Sequence, residues 1–300
     1  MILAFYTLLT VVGTGFILDA LLNDDDDDAT LEDTSTDTVV VDQQPEGLDI
    51  VGKAGDDTLT GGEGPDVITD NLGADEVDAL GGDDEVSTGE GPDAVFGGEG
   101  GDKILGGEGE DLLLGEEGDD KLRGNQDADM LIGGEGMDSL LGDDGDDLLL
   151  GAEIIDDAAV KIDEDNVGIT PGTLYSNYTT FEEPNAAPDT LDGGRGDDQL
   201  VLGAEDSAQG GLGFDDFILG DWIAEGDGPS VVKDFNPFED VVIYFHDEVQ
   251  QPNPVLSVDT DEDGNALLLA DGVLVSIIEN SGAFFTPNLV TTVGYTPPAV

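Results

Sequence analysis

The sequence predicts an all-β fold in which very short strands stack in parallel, followed by a C-terminal region of more ordinary β-strands. Three observations predict it. A nine-residue unit repeats from Gly52 onward, each unit carries one aliphatic residue at a fixed place, and residues 221–300 alternate apolar and polar residues around Asp-Gly turns.

The repeat is set by one residue. Asp57, Asp66, Asp75, Asp84, Asp93, Asp102, Asp111, Asp120, Asp129, Asp138, Asp147 and Asp156 follow one another at steps of nine. Two residues before nearly every Asp stands a glycine; Asp127 and Ile154 are the exceptions. Two residues after it stands an aliphatic, from Leu59, Ile68 and Val77 through to Leu149, and only Ala158 fails. The cleanest copies are GGEGPDVIT (61–69), GGEGGDKIL (97–105), GGEGEDLLL (106–114) and GGEGMDSLL (133–141). Glycine takes positive φ at little steric cost, so the Gly-Asp residues make a turn. In three of the copies whose second position lacks glycine Asn71, Asn125 and Asp143 stand there, and Asn and Asp tolerate that backbone best. The remaining three residues make a short strand whose middle side chain points to one side and whose flanks point to the other. With two units per coil, the aliphatics meet in a thin core and the aspartates form two rows along the edges. Unneutralised, such rows repel. Ca²⁺ prefers six to eight oxygens from carboxylates and carbonyls, and an ion between successive coils would join them.

These copies resemble the haemolysin-type calcium-binding repeat of the RTX family, GGxGxDxUx with U a large aliphatic. The resemblance implies a right-handed parallel β-roll with a C-terminal β-strand capping region, and it assigns the aspartates above as Ca²⁺ ligands. Residues 52–158 hold 33 acidic and 4 basic side chains, a net of −29. One ion per gap between coils, the arrangement the family implies, gives about ten ions in the main roll and leaves about −9, an ordinary surface charge.

The faces of the roll differ. Alternate copies fall on opposite sheets. On one sheet the outward pairs become Ala94/Phe96, Leu112/Leu114, Met130/Ile132 and Leu148/Leu150; on the other they are Glu85/Ser87, Lys103/Leu105, Lys121/Arg123 and Ser139/Leu141. An apolar strip of that size is not left in water. Either the chain's own insert or C-terminal region covers it, or it is a docking face for a protein partner.

The rest of the chain divides by composition. Residues 1–22 are almost wholly apolar, and about seventeen to eighteen residues of helix there would span about 27 Å, near a bilayer core. No Lys or Arg precedes the run, so it is a poor cleavable signal; it reads as a membrane anchor or as a packed hydrophobic helix. Residues 23–48 open with Asp24 through Asp28 and read as an acidic linker. The roll, residues 49–158, is followed by an insert, 159–188, whose Tyr175, Tyr178 and Phe181 indicate a packed excursion. A second repeat block, 189–220, offers Asp189, Asp198 and Asp215 as ligands, with Ser207 at a spoiled position between them. Asp215 lies 17 residues after Asp198, a slip that reads as a bulge or a terminating coil. Residues 221–300 should form strands at 230–235, 240–246, 254–259, 265–270 and 273–278, with hairpin turns at Asp263-Gly264 and Asp271-Gly272. Asp259, Asp261 and Asp263 open like an EF-hand loop, but its twelfth position is Ala270, so a hairpin turn is expected. The resemblance implies that this region caps the roll and carries a secretion signal.

Charge excludes other functions. With 72 acidic against 7 basic side chains the chain would be repelled by nucleic acid and by anionic membranes. Without cysteine there are no disulfides or thiolate centres, and His246 stands alone. Neither HExxH nor GxSxG occurs, and no carboxylate pair stands out as a catalytic dyad. The sequence therefore predicts an extracellular calcium-binding structural or interaction protein, exported unfolded by type I secretion as in the resembled family and folded by millimolar Ca²⁺ outside the cell, where weak sites match the ion concentration. An extracellular enzyme or accessory domain, active in the insert or the C-terminal part, is the alternative. Ice binding is disfavoured because no Thr/Asn ladder occupies the outward positions.

Overall fold

The computed structural model describes residues 38–40, 47–151, 187–223, 227–282 and 284–295. The hydrophobic segment at 1–22, nearly all of the acidic linker, Asp156 and the insert up to residue 186 lie outside the described residues. Among the described residues no helix is long and apolar enough to cross a membrane.

Successive strands alternate between two facing sheets, as the two-unit coil requires. Among the described residues one sheet has eleven strands, from Thr38–Val40 to Val290–Tyr295, and the other twelve, from Asp49–Val51 to Leu256–Thr260. Neighbouring strands in the repeats are parallel and in register at 18 residues, so that Lys103 pairs with Lys121 and Leu113 with Leu131. The middle residue of each strand points inward. Leu59, Ile68, Val77, Val86, Val95, Ile104, Leu113, Leu122, Leu131, Leu140 and Leu149 are all at most 1% exposed and form a single-file core. The glycine two residues before the Asp is needed twice over. Gly118 has φ 141°, and a Cβ there would stand 1.8 Å from the Gly100 carbonyl oxygen of the preceding coil.

The coil does not stop at the insert. Ser139–Asp144 pairs with Thr190–Arg195, and Leu148–Leu150 pairs with Gln199–Val201, so the two repeat blocks form one continuous roll. Nor does it terminate at Asp215. Gln199–Val201, Asp216–Gly220, Val241–Asp247 and Val290–Tyr295 continue one sheet in parallel. The slip is a turn shortened by one residue ahead of Asp206, with Glu205 at φ 66°. The C-terminal strands form at 230–232, 241–247, 256–260, 266–270 and 273–278, with a further one at 290–295 that the sequence did not reveal. The antiparallel hairpins are present, and Asp271 and Gly272 take φ 50° and 87° in the second turn.

The two outer faces divide as the pattern predicts. On the twelve-stranded sheet Lys103, Lys121 and Arg123 are exposed, with Lys103 paired to Glu85, Arg123 to Asp143 and Arg195 to Asp144. On the eleven-stranded sheet the apolar strip is not open. Leu112, Met130, Ile132, Leu148 and Leu150 are buried, and Phe96 and Leu114 are half-buried, within the single chain.

Candidate metal centre

Each repeat aspartate ends a glycine-rich turn and opens a strand, which places its side chain inside the edge of the roll. Stacking at 18 residues then brings every second one into a row. Along one edge the backbone N–H of Asp57 donates to Asp75 Oδ1, Asp75 to Asp93, Asp93 to Asp111, Asp111 to Asp129 and Asp129 to Asp147, at 2.7–2.9 Å. Along the other, Asp66 donates to Asp84, Asp84 to Asp102, Asp102 to Asp120 and Asp120 to Asp138, at 2.6–2.8 Å. Both rows cross the insert: Asp138 donates to Asp189 and Asp147 to Asp198, each across 51 residues. Asp189 thus takes the place in the row that the nine-residue step gives to Asp156.

Only one oxygen of each carboxylate is used this way. The Oδ2 atoms of Asp75, Asp84, Asp93, Asp102, Asp111, Asp120, Asp129, Asp138, Asp147 and Asp198 are buried without a hydrogen-bond partner. Buried charged acceptors are seldom left unmatched, because desolvation is not returned by any contact. The first glycine of each unit keeps room beside that oxygen. A Cβ at Gly97 would lie 2.4 Å from Asp102 Oδ2 and 2.7 Å from the Gly115 carbonyl oxygen. An anionic oxygen and a carbonyl oxygen facing a glycine cradle are the donor set of a hard cation, so the residues present fit Ca²⁺.

Burial raises the carboxyl pKa along both rows, with the neighbouring aspartates adding to the shift. Asp75, Asp84, Asp120 and Asp147 are pushed up to about 7, Asp111 and Asp198 to about 8 and Asp129 to about 9, each chiefly through lost solvation. Without a cation Asp111, Asp198 and Asp129 hold their protons at neutral pH.

The ends of the rows are built differently. Asp66 accepts from Leu48 N–H through Oδ1 and from Gly62 N–H through Oδ2, and Asp57 Oδ2 accepts from Lys53 N–H. Asp206 accepts from Asp189 and Gly203 N–H, and Asp240 from Asp215 and Asn236 N–H. Asp206, not Ser207, occupies the row, because the turn before it is one residue short; Ser207 instead opens a strand whose inward residue is Ala208. Asp215 receives Asp198 N–H at 3.1 Å and keeps its place in the row.

Counting by nine also passed over the fifth position of the unit. There Asp56, Asp83, Asp119, Asp146 and Asp197 accept the N–H of the equivalent residue one coil on, at 2.8–3.1 Å on the surface. Elsewhere, Asp261 Oδ1 accepts from Asp263 and Asn265 N–H, which makes the EF-like stretch a hairpin turn, and His246 Nδ1 lies 2.8 Å from the Gln251 carbonyl oxygen.

No curated protein matches the chain. The RTX calcium-binding nonapeptide repeat matches it in four copies, at residues 51–86, 87–122, 123–153 and 185–208. The copy boundaries follow the coil, since each of the first two is as long as four nine-residue units, or two coils, and the last resumes the roll beyond the insert. With its stacked parallel strands and paired aspartate rows, the chain is an RTX calcium-binding repeat protein, with repeats of that family spanning residues 51–208.

Proposed function

We propose that this chain is an extracellular structural or interaction protein whose repeats fold on binding Ca²⁺ after export. The observation that carries this reading is the file of buried Oδ2 atoms without partners in two rows. Without cations, folding must either desolvate these carboxylates or protonate them. With cations, ligation free energy becomes folding free energy. The ligands are Asp75, Asp93, Asp111, Asp129, Asp147, Asp198 and Asp215 along one edge and Asp84, Asp102, Asp120, Asp138 and Asp189 along the other, with Asp57 and Asp66 at the starts of the rows. The bound ions join successive coils and neutralise their charge. In a cytosol poor in free calcium the repeats stay open and fit for export; outside, millimolar calcium closes them.

Far-UV circular dichroism during a calcium titration of the full chain, with magnesium as control, tests this. The β signal should rise with calcium and not with magnesium, which dehydrates reluctantly and demands tighter geometry. A chain already fully β in chelator and indifferent to calcium would sink the reading.

A further inference from the structure

The first position of the nonapeptide holds the glycine of the cradle in most copies, for example Gly52, Gly97 and Gly106; at residue 70 it holds an aspartate. The backbone does not demand glycine at this position, since neither Asp70 nor Gly97 has positive φ. The glycine is there for room beside the row, and Asp70 fills that room with a carboxylate.

We infer that Asp70 is a third carboxylate ligand in the first gap of its row, and that it makes this gap a site distinct from all others in the roll, selective for the hard cation of highest charge. Asp57, Asp70 and Asp75 each bring a carboxylate oxygen within 4.8 Å of the other two. Asp70 is 3% exposed. Its Oδ1 accepts Asn71 N–H at 2.6 Å, while its Oδ2 is buried with no hydrogen-bond partner, as is Asp75 Oδ2. The preceding coil leaves space for it: a Cβ at Gly52 would stand 1.8 Å from Asp70 Oδ2. An ordinary gap lies between two row carboxylates, each interior one shared with the next gap. Asp70 adds a third negative charge at the first gap, and added negative charge strengthens the pull on a trivalent ion more than on a divalent one. Low local dielectric enlarges that difference.

The inference rests on the calcium reading above, and one experiment separates the two. Isothermal titration first shows whether the full chain takes up calcium; no calcium-dependent heat overturns both. One equivalent of Tb³⁺ is then added to the calcium-saturated chain, and its paramagnetic broadening is followed by amide NMR. Amides of residues 52–58 and 70–76 should broaden before any others. In Asp70→Asn, which keeps the side-chain shape, and in Asp70→Gly, which restores the residue of most other copies, that selectivity should be lost and broadening should spread over both rows. Circular dichroism in calcium checks that both variants are folded. Even broadening in the unaltered chain, or the same selective pattern in both variants, overturns the role of Asp70 while leaving the calcium reading intact.

Discussion

The repeats and the C-terminal region share one stacking geometry and differ in what holds successive coils together. In the repeats the core is one aliphatic wide and the edges are carboxylate rows with unpartnered oxygens. Beyond Asp206 and Asp215 the same places become self-sufficient. Asp206 is followed in its row by Ser230 and then Ser276, whose hydroxyls donate to the Val275 and Ser230 carbonyl oxygens. Asp240 has both oxygens hydrogen-bonded to backbone. The core widens as well: Phe217 packs on Phe235 at 6.3 Å and Phe235 edge-on to Phe285 at 5.2 Å, while Trp222 donates to the Leu202 carbonyl oxygen. A coil can thus be closed either by cations or by aromatic burial and neutral hydrogen bonds, and this chain changes from one to the other within a single sheet.

The largest expected effect follows directly. In chelator at pH 8, hydrogen exchange should be fast across strands 85–150 and slow in Val241–Asp247 and Ala266–Ala270. Uniform protection, or uniform loss, would erase the distinction between the regions. Phe235→Ala should cost about 3–5 kcal/mol through lost burial and the cavity left behind, and the loss should be the same with and without calcium, read as the melting of the C-terminal strands.

Next in size is a test within the repeats. Asp111 and Asp129 stand in the same row, joined by a 2.9 Å hydrogen bond. Replacing both by Ala should weaken their gaps by about tenfold, ~1.4 kcal/mol each, while sites along the Asp84–Asp138 edge keep their affinity in a calorimetric titration. Equal loss along both edges would contradict the two-row geometry.

A pH effect of opposite sign should separate the two states of the roll. Asp75, Asp84, Asp111, Asp120, Asp129, Asp147 and Asp198 have folded pKa values raised to about 7–9, above the ~3.9 of an unfolded chain, by burial first, with neighbouring carboxylates adding to it. The folded metal-free roll therefore binds more protons than the unfolded chain. The resulting stabilisation is complete below the unfolded value and is lost as pH rises through about 7–9. In chelator, circular dichroism melts should show the repeats more stable at pH 5 than at pH 8. In saturating calcium the order should reverse, because the ligands must be deprotonated.

What the sequence showed plainly was whatever obeys a fixed step. Eleven aspartates at steps of nine, Asp57 through Asp147, stand in the two rows, and Leu59 through Leu149 form the core, since a strand of period two leaves only one inward place per unit. The unlike faces followed from the same parity. What it hid was stacking that sequence distance does not encode. Asp189 takes the row position beyond Asp138 because the roll closes across 51 residues, and nothing in a nine-residue count measures that. Ser207 was one residue wrong because one turn is a residue shorter. Asp70 was passed over because it sits where the repeat calls for glycine, and only the stacked coil brings it to Asp57 and Asp75.

The smallest effect concerns the surface carboxylates at the fifth position. Asp119 Oδ1 accepts Met137 N–H at 2.9 Å, on an exposed turn. Such a bond exchanges one with water, so it is worth about 0.5–1.5 kcal/mol at most and less where solvent screens it. Asp119→Asn keeps an acceptor and removes one negative charge near the Asp120 carboxyl, which the Asp119 charge helps to raise. The two contributions oppose each other in calcium: the turn loses strength while the row loses repulsion. Asp119→Ala, which loses both, should then be less stable than Asp119→Asn in calcium melts, by a degree or two. If instead Asp119→Ala lowers calcium affinity as much as loss of Asp111, the fifth position belongs with the ligands, and the division between coil-joining acids inside the edge and turn-fixing acids outside it fails.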